Sequence, residues 1–182
     1  MFRYATILIA AVAGLAVAQQ APAMESMSIA PGRIGPVRHD WKQADLLASG
    51  LPFERKVTNH EGDEIYLYVI RLDGTNTVEM RFVPDGRGYS METRSPAFRT
   101  LEGAHAGSTI AELRALYPRG HIFKEVNDGP NLIFFPEWPG RANEPFIAFD
   151  FAADGLSIDC IRDNKGCPDL GPQRSRSVRT GW

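Results

Sequence analysis

The chain has 182 residues, enough for one compact domain or for two small halves sharing a core, and too few for a multidomain machine. Hydrophobic residues make up 43% and charged residues 23%, which excludes wholesale disorder, a coiled coil and a polytopic membrane protein. The net charge of −2 provides no basic field for nucleic acid and no acidic solvating tail.

Arg3 is followed by an apolar run from Ala5 to Ala18 that closes on Ala16-Val17-Ala18, the small-x-small pattern of a signal-peptidase site. Gln19-Gln20 ends the run short of the roughly 20 apolar residues a membrane span requires. Residues 1–18 therefore read as a secretory signal cleaved after Ala18, with Ala23 as a competing site. The mature chain is expected to be periplasmic or secreted, without a membrane span. Its charge would rest on 19 basic against 22 acidic residues, a net −3. Residues 19–32 (Gln, Ala, Pro, Met and Ser among them) lack periodicity and read as a flexible lead-in.

The body of the chain, 33–167, reads as an α+β domain in two halves, 33–100 and 101–167. Asp40-Trp41-Lys42-Gln43 opens a short helix with Asp40 as N-cap; Trp41, Ala44 and Leu47 line one side and Gly50 ends it. Strands follow over Glu64 to Arg71, Thr77 to Val83 and Gly88 to Arg94. Thr109-Ile110-Ala111-Glu112 has the form of a capping box, with Ile110, Leu113 and Leu116/Tyr117 on one stripe and Pro118 closing the helix. Four more strands are predicted over His121 to Val126, Asn131 to Phe135, Pro145 to Phe151 and Leu156 to Ile161. Asp73-Gly74, Asp85-Gly86, Asp128-Gly129 and Asp154-Gly155 punctuate these runs, and Asp-Gly favours the positive φ of tight hairpin turns. The predicted fold is a tandem repeat of a short helix followed by an antiparallel meander of about four strands, with the helices on one sheet face. Residues 168–182, rich in Gly, Pro, Ser and Arg, read as a flexible tail.

The stretch Gly107-Ser108-Thr109-Ile110-Ala111-Glu112-Leu113-Arg114-Ala115-Leu116-Tyr117-Pro118 resembles the helix-opening phrase of the β-lactamase inhibitory protein and outer-membrane assembly lipoprotein folds. Uncharacterised periplasmic proteins of the same architecture are similar too. The resemblance covers about twelve residues directly, together with the element order of residues 35–161. It implies helices over one face of an antiparallel sheet, with the other face gripping a partner protein. The chain departs from the inhibitor in having one cysteine pair where that family has one in each half. Gly35-Pro36-Val37 with Asp40 matches the motif poorly.

Cys160 and Cys167, with six residues between them, read as a disulfide pinning a loop. A zinc pair would need nearby histidines, and a redox pair the Cys-x-x-Cys spacing. His60-Glu61-Gly62-Asp63-Glu64 is an acidic turn without the spacing that puts two imidazoles on one helix face. Neither Ser95 nor Ser108 sits in a nucleophile elbow, and no phosphate-binding glycine loop or calcium loop is present. No cofactor is expected, and no enzyme signature appears. Paired carboxylates for glycoside chemistry stay open, because their separation is a three-dimensional property. Glu102 with His105, just before the second helix, is the one acid/base pair that a periplasmic hydrolase could use.

The aromatic and charged pattern points instead to binding. If Ile65, Leu67 and Val69 form the core face of their strand, Tyr66 and Tyr68 face the other way. Glu79 and Arg81 on the next strand, and Glu92 and Arg94 on the third, would join them on one surface. Tyr and Arg dominate binding hot spots because each buries much area behind a polar tip. Trp138, between prolines in an aromatic loop, would add a preorganised contact. The expectation is an exported module that recognises a protein or envelope component through this face, with the hydrolase as the alternative.

Overall fold

The structure is a computed structural model that describes residues 27–60, 62–125, 131–137, 144–152, 156–157, 159–160 and 167–181. The expected signal segment 1–18, Trp138 and the Asp128-Gly129 and Asp154-Gly155 corners lie outside the described residues, as do residues 19–26 of the lead-in.

A small three-stranded sheet opens the described chain: β1 (Ile29–Ala30), β2 (Arg33–Ile34) and β3 (Val37–Arg38). Gly32 and Gly35 supply the positive φ values, 74° and 57°, that its two tight turns require. Ile29, Ile34 and Val37 are buried in the common core. The expected lead-in over 19–32 is thus corrected at its end, since β1 is packed and Ile29 donates its amide to the Arg99 carbonyl at 2.7 Å.

After helix α1 (Gln43–Ala48) come β4 (Phe53–His60), β5 (Asp63–Arg71), β6 (Thr77–Phe82) and β7 (Gly88–Thr93). Helix α2 (Ile110–Leu116) then leads into β8 (His121–Glu125), β9 (Asn131–Phe135), β10 (Phe146–Ala152) and β11 (Ser175–Gly181). The eight later strands form one antiparallel sheet in the order β4-β5-β6-β7-β11-β10-β9-β8.

The fold class differs from the α+β tandem repeat expected above. Among the described residues the chain is mostly β, 47% strand against 12% helical, with no repeat of a helix-plus-sheet unit. The helices are only six and seven residues long, so they are packing elements against a continuous sheet rather than layers of their own. The last strand expected, Leu156 to Ile161, is not one: Leu156 and Ser157 are irregular, and Asp159–Cys160 is helical. That place in the sheet belongs to β11, from the stretch expected to be a flexible tail.

The physical reason for β11 is visible in its partners. It pairs on both sides, with β7 through Val178↔Thr93 and Thr180↔Met91, and with β10 through Phe149↔Val178 and Ile147↔Thr180. Val178 and Thr180 are fully buried. The hydroxyl of Thr180 accepts from the Gly32 amide at 2.7 Å and donates to the Phe146 carbonyl at 2.5 Å, tying the small sheet to the large one. Residues just before β11 also complete α2. The amides of Ile110 and Ala111, which no helical carbonyl can serve, donate to Gln173 and Gly171 at 3.0 Å.

The α2 N-terminus has the expected reciprocal cap. Thr109 Oγ1 accepts from the Glu112 amide at 3.1 Å, and Glu112 Oε2 accepts from the Thr109 amide at 2.7 Å. The earlier helix departs from expectation. Lys42 occupies its N-cap and Asp45 accepts from the Lys42 amide at 2.8 Å, whereas Asp40 is spent on an ion pair with Arg38 at 2.6 Å. Leu46, not Leu47, enters the core.

One face of the large sheet carries this core. Val78, Met80 and Phe82 of β6 stand opposite Ile70, Tyr68 and Tyr66 of β5, and Met80 pairs onward with Met91 of β7. Ile110 and Leu113 from α2, Leu46 from α1, and Phe134 and Phe149 from β9 and β10 complete it. Gly88 is needed where β7 begins: a Cβ there would lie 2.5 Å from the His39 carbonyl oxygen, as two backbones pass at close approach. The opposite face bears the charges.

Candidate functional site

The register of β5 through β10 decides which predicted site residues meet. Val69, Glu79, Glu92, Arg179 and Ala148 are successive cross-strand partners on one row, and Leu67, Arg81 and Ser90 lie on the next. Glu79, Arg81, Glu92 and Arg94 therefore share the face away from the core. The two tyrosines do not join them. Tyr68 is only 1% exposed, wedged between the rings of Phe53 and Phe82 at 5.2 and 5.4 Å, and its hydroxyl bonds to the Gln43 side chain of α1. Tyr66 is half-buried against the same core, with the Arg55 guanidinium 4.5 Å from its ring centre.

The reversal has a simple cause. Every residue from Ile65 to Ile70 is apolar or aromatic, so the period of two cannot say which set faces inward. The neighbouring strand can: β6 alternates cleanly, and register with Met80 and Phe82 draws Tyr68 and Tyr66 into the core. Gln43 supplies the polar partner that makes a buried phenol tolerable.

On the open face the charged side chains brace one another. Glu92, 12% exposed at its side chain, is a shared acceptor: Arg81 Nη1 lies 3.4 Å from Oε2, and Arg94 Nε lies 3.2 Å from Oε1. Arg81 also lies 3.6 Å from Glu79 and 3.5 Å from the Ser90 hydroxyl. Next along the face, Arg179 Nη2 donates to Asp150 Oδ1 at 2.9 Å, and the Ser177 hydroxyl donates to Oδ2 at 3.4 Å. Among the described residues the Nε of Arg179 is buried without a hydrogen-bond acceptor.

These groups line a trough of about 750 Å³ that crosses the sheet from Thr58 and Asn59 on β4 to Ile133 on β9. Its titratable lining among the described residues is Arg81, Arg94, Arg176, Arg179, Glu92, Asp150 and Tyr89. Burial lifts the carboxyl of Asp150 above the usual range; Arg179 opposes the shift and nearby Glu92 adds to it. Arg176, Arg179, Asp150, Ser90 and Ser177 were not read as site residues from the sequence. The alternation of Ser175-Arg176-Ser177-Val178-Arg179-Thr180, with β-branched residues at 178 and 180, was the signal for a strand there.

The alternative acid/base pair does not converge. Glu102 accepts from the Tyr117 hydroxyl at 2.7 Å, which also meets Thr100 Oγ1 at 2.6 Å. That hydroxyl bond holds the Glu102 carboxyl below its ordinary range, while burial, with the neighbouring carboxylate, pushes the Tyr117 phenol up. His105 spends Nδ1 on the Ala106 carbonyl at 2.7 Å. No hydrogen bond or ion pair joins Glu102 to His105 among the described residues. Glu102 and Tyr117 instead line a second groove of about 990 Å³, walled by Ile29, Leu101 and Phe146, that His105 does not reach.

Cys160 and Cys167 are joined as a disulfide, S–S 2.14 Å, and Lys124 Nζ lies 3.4 Å from Cys167 Sγ and 3.0 Å from the Cys160 carbonyl. Among the described residues no helix is long and apolar enough to cross a membrane, and no three His, Cys, Asp or Glu side chains are grouped to hold a metal ion. Compared with known proteins, the chain matches no family model, no curated protein and no solved structure.

Proposed function

We propose that this chain is an exported binding module that docks a folded protein partner on the open face of its eight-stranded sheet. One observation carries the reading: Glu79, Arg81, Glu92, Arg94, Asp150 and Arg179 are ordered on that face by their own ion pairs. A solvated sheet surface needs no such bracing, since exposed ion pairs add little stability. Side chains already held in one geometry lose less rotamer freedom when a partner arrives. Arginine, with the flanking aromatic rings of Tyr89 and Phe146, is a residue type concentrated at interface hot spots. Export rests on the Arg3-led apolar segment and is supported by a disulfide of the kind that oxidising compartments sustain.

The test is site-specific photocrosslinking in cells that make the full chain. A photoreactive residue replaces Ser90 in the trough or, as the comparison, Leu47 on the exposed side of α1. Docking on the open face gives a discrete adduct from position 90 that an Arg81→Ala/Arg94→Ala variant loses, and none from position 47. Adducts confined to position 47 would overturn it. Cell fractionation with N-terminal sequencing of the mature protein tests export, with Gln19 or Met24 expected as the first residue.

A further inference from the structure

We infer that the trough receives an acidic segment of its protein partner, with Asp or Glu carboxylates seated on Arg81, Arg94, Arg176 and Arg179. This rests on the reading of the open face as a docking surface, and it fixes the chemistry of what docks.

The sign of the charge is the first argument. Among the described residues four arginines line the trough against two carboxylates, Glu92 and Asp150, whereas the whole chain carries a net −2. A local positive surplus inside a slightly negative molecule is placed rather than inherited from composition. Concave low-dielectric walls also concentrate the field of such a surplus on an approaching anion.

The state of the hydrogen-bonding groups is the second. Both carboxylates are already engaged: Glu92 by Arg81 and Arg94, and Asp150 by Arg179 and Ser177. A cationic ligand would have to displace an arginine to reach either. Arg94 and Arg179 keep donors beyond those pairs. A guanidinium carries five N–H donors, and Arg94 commits its Nε to Glu92 with its side chain 69% exposed. Arg179 commits one amino group to Asp150. The planar fork that remains matches a carboxylate with two parallel hydrogen bonds. Ser90, which also lines the trough, offers its hydroxyl as a further donor.

Shape favours a peptide segment over a small anion. The arginines are spread over β6, the residue after β7, and β11, and the trough runs across strands from β4 to β9. One carboxylate could occupy only one fork. A segment with several would engage the row, while Ile65, Ile133 and Phe146 give its methylene stems an apolar floor.

The experiment titrates hexaglutamate, hexalysine and hexaserine into the full mature chain at low ionic strength, read by calorimetry and by the NMR signals of the arginine Nε–H groups. Hexaglutamate is expected to saturate, shift the Arg81, Arg94 and Arg179 signals, and lose its binding near 0.5 M salt, where charges are screened within about 4–5 Å. Arg94→Gln/Arg176→Gln should weaken it by about tenfold. Both side chains are exposed, so this variant should keep the wild-type melting transition. Arg94→Gln alone, weakened less, is the second variant. Unchanged affinity in both variants, shifts confined to other arginines, or tighter binding of inorganic tripolyphosphate than of hexaglutamate would overturn the proposal. Saturation of the same arginine signals by hexalysine or hexaserine alone would sink the acidic assignment and leave the docking face standing. If no peptide shifts these signals and crosslinks map to α1, the docking reading falls with it.

Discussion

Glu92 on β7 and Arg179 on β11 are direct cross-strand partners where the strands after α1 meet those after α2. Each is also tied outward, Glu92 to Arg81 and Arg94, and Arg179 to Asp150. The charged row is thus continuous only because β11 lies in the middle of the sheet. Deleting residues 175–182 would leave the inner edges of β7 and β10 unpaired and remove the buried side chains of Val178 and Thr180. The expected outcome is loss of the cooperative thermal transition in circular dichroism. Val178→Asp is the point-mutation counterpart: an unpaired carboxylate at a fully buried site costs about 3 kcal/mol or more. A truncated chain that melts as sharply as the intact one would contradict this arrangement.

Tyr68 is a core residue with a polar anchor, and its substitutions should separate the two contributions. Tyr68→Ala removes a ring packed between Phe53 and Phe82 and should cost about 3–5 kcal/mol in urea unfolding. Tyr68→Phe keeps the ring but leaves the Gln43 side chain without its hydroxyl partner, costing about 1 kcal/mol. Neither change touches the open face. Peptide binding measured on the folded fraction should be unaltered in Tyr68→Phe, which would not hold if the hydroxyl belonged to the docking surface.

What the sequence could convey followed the strength of its periodic signals. Strand β6, with Val78, Met80 and Phe82 alternating against Glu79 and Arg81, was legible, and so was the α2 cap. The Asp85 corner was legible as a positive-φ glycine turn, with Gly86 at 81°, whereas the Asp73 corner turns without a positive φ at Gly74 and is held by Asp73 accepting from the Thr75 amide at 2.9 Å. Faces were harder. The uninterrupted apolar run of β5 has no polar side, so only pairing with β6 assigns Tyr68 inward. Strand β4 (Phe53–His60) is an edge strand with three successive charged residues, Glu54, Arg55 and Lys56, and exposed Val57, and such a strand looks like a loop in isolation. Strand β11 was missed for the converse reason. Its serines and arginines read as solvated, although Ser175 and Ser177 are buried by strands far away in sequence. Nonlocal pairing of that kind shows locally only in the β-branched residues Val178 and Thr180.

The α2 cap provides a local test of a packed short helix. Thr109→Ala removes the oxygen that accepts from the Glu112 amide and should cost about 1 kcal/mol, with Thr109→Ser restoring most of it. The same box sets a pH dependence. Glu112 is held below its ordinary range first by the Thr109 amide. Its stabilising contribution is present above the ordinary carboxylate value and is lost as pH falls through the depressed one. Thr109→Ala weakens the box, so stability should fall less steeply on acidification in that variant. Chemical denaturation at a series of acidic pH values reads the slope.

Asp150 should act in the opposite direction, because burial raises its carboxyl above the ordinary value of 3.8. The native state then holds this proton more tightly than the unfolded chain. Between the ordinary and the raised value the native state has more protons bound, so stability falls as pH rises, and it is flat above the raised value. Asp73, held down to about 2 by the Thr75 amide and Asn76, contributes the reverse: stability present above 3.8 and lost as pH falls toward 2. Asp150→Asn removes only the first of these terms. The stability difference, wild type minus variant, should therefore decrease as pH rises from about 3 toward neutrality and then level off. A difference that grows with pH would mean that attraction to Arg179, 2.9 Å away, outweighs burial. The trough would then hold its arginines against a carboxylate that is ionised throughout, and its positive surplus would not vary across the acidic range.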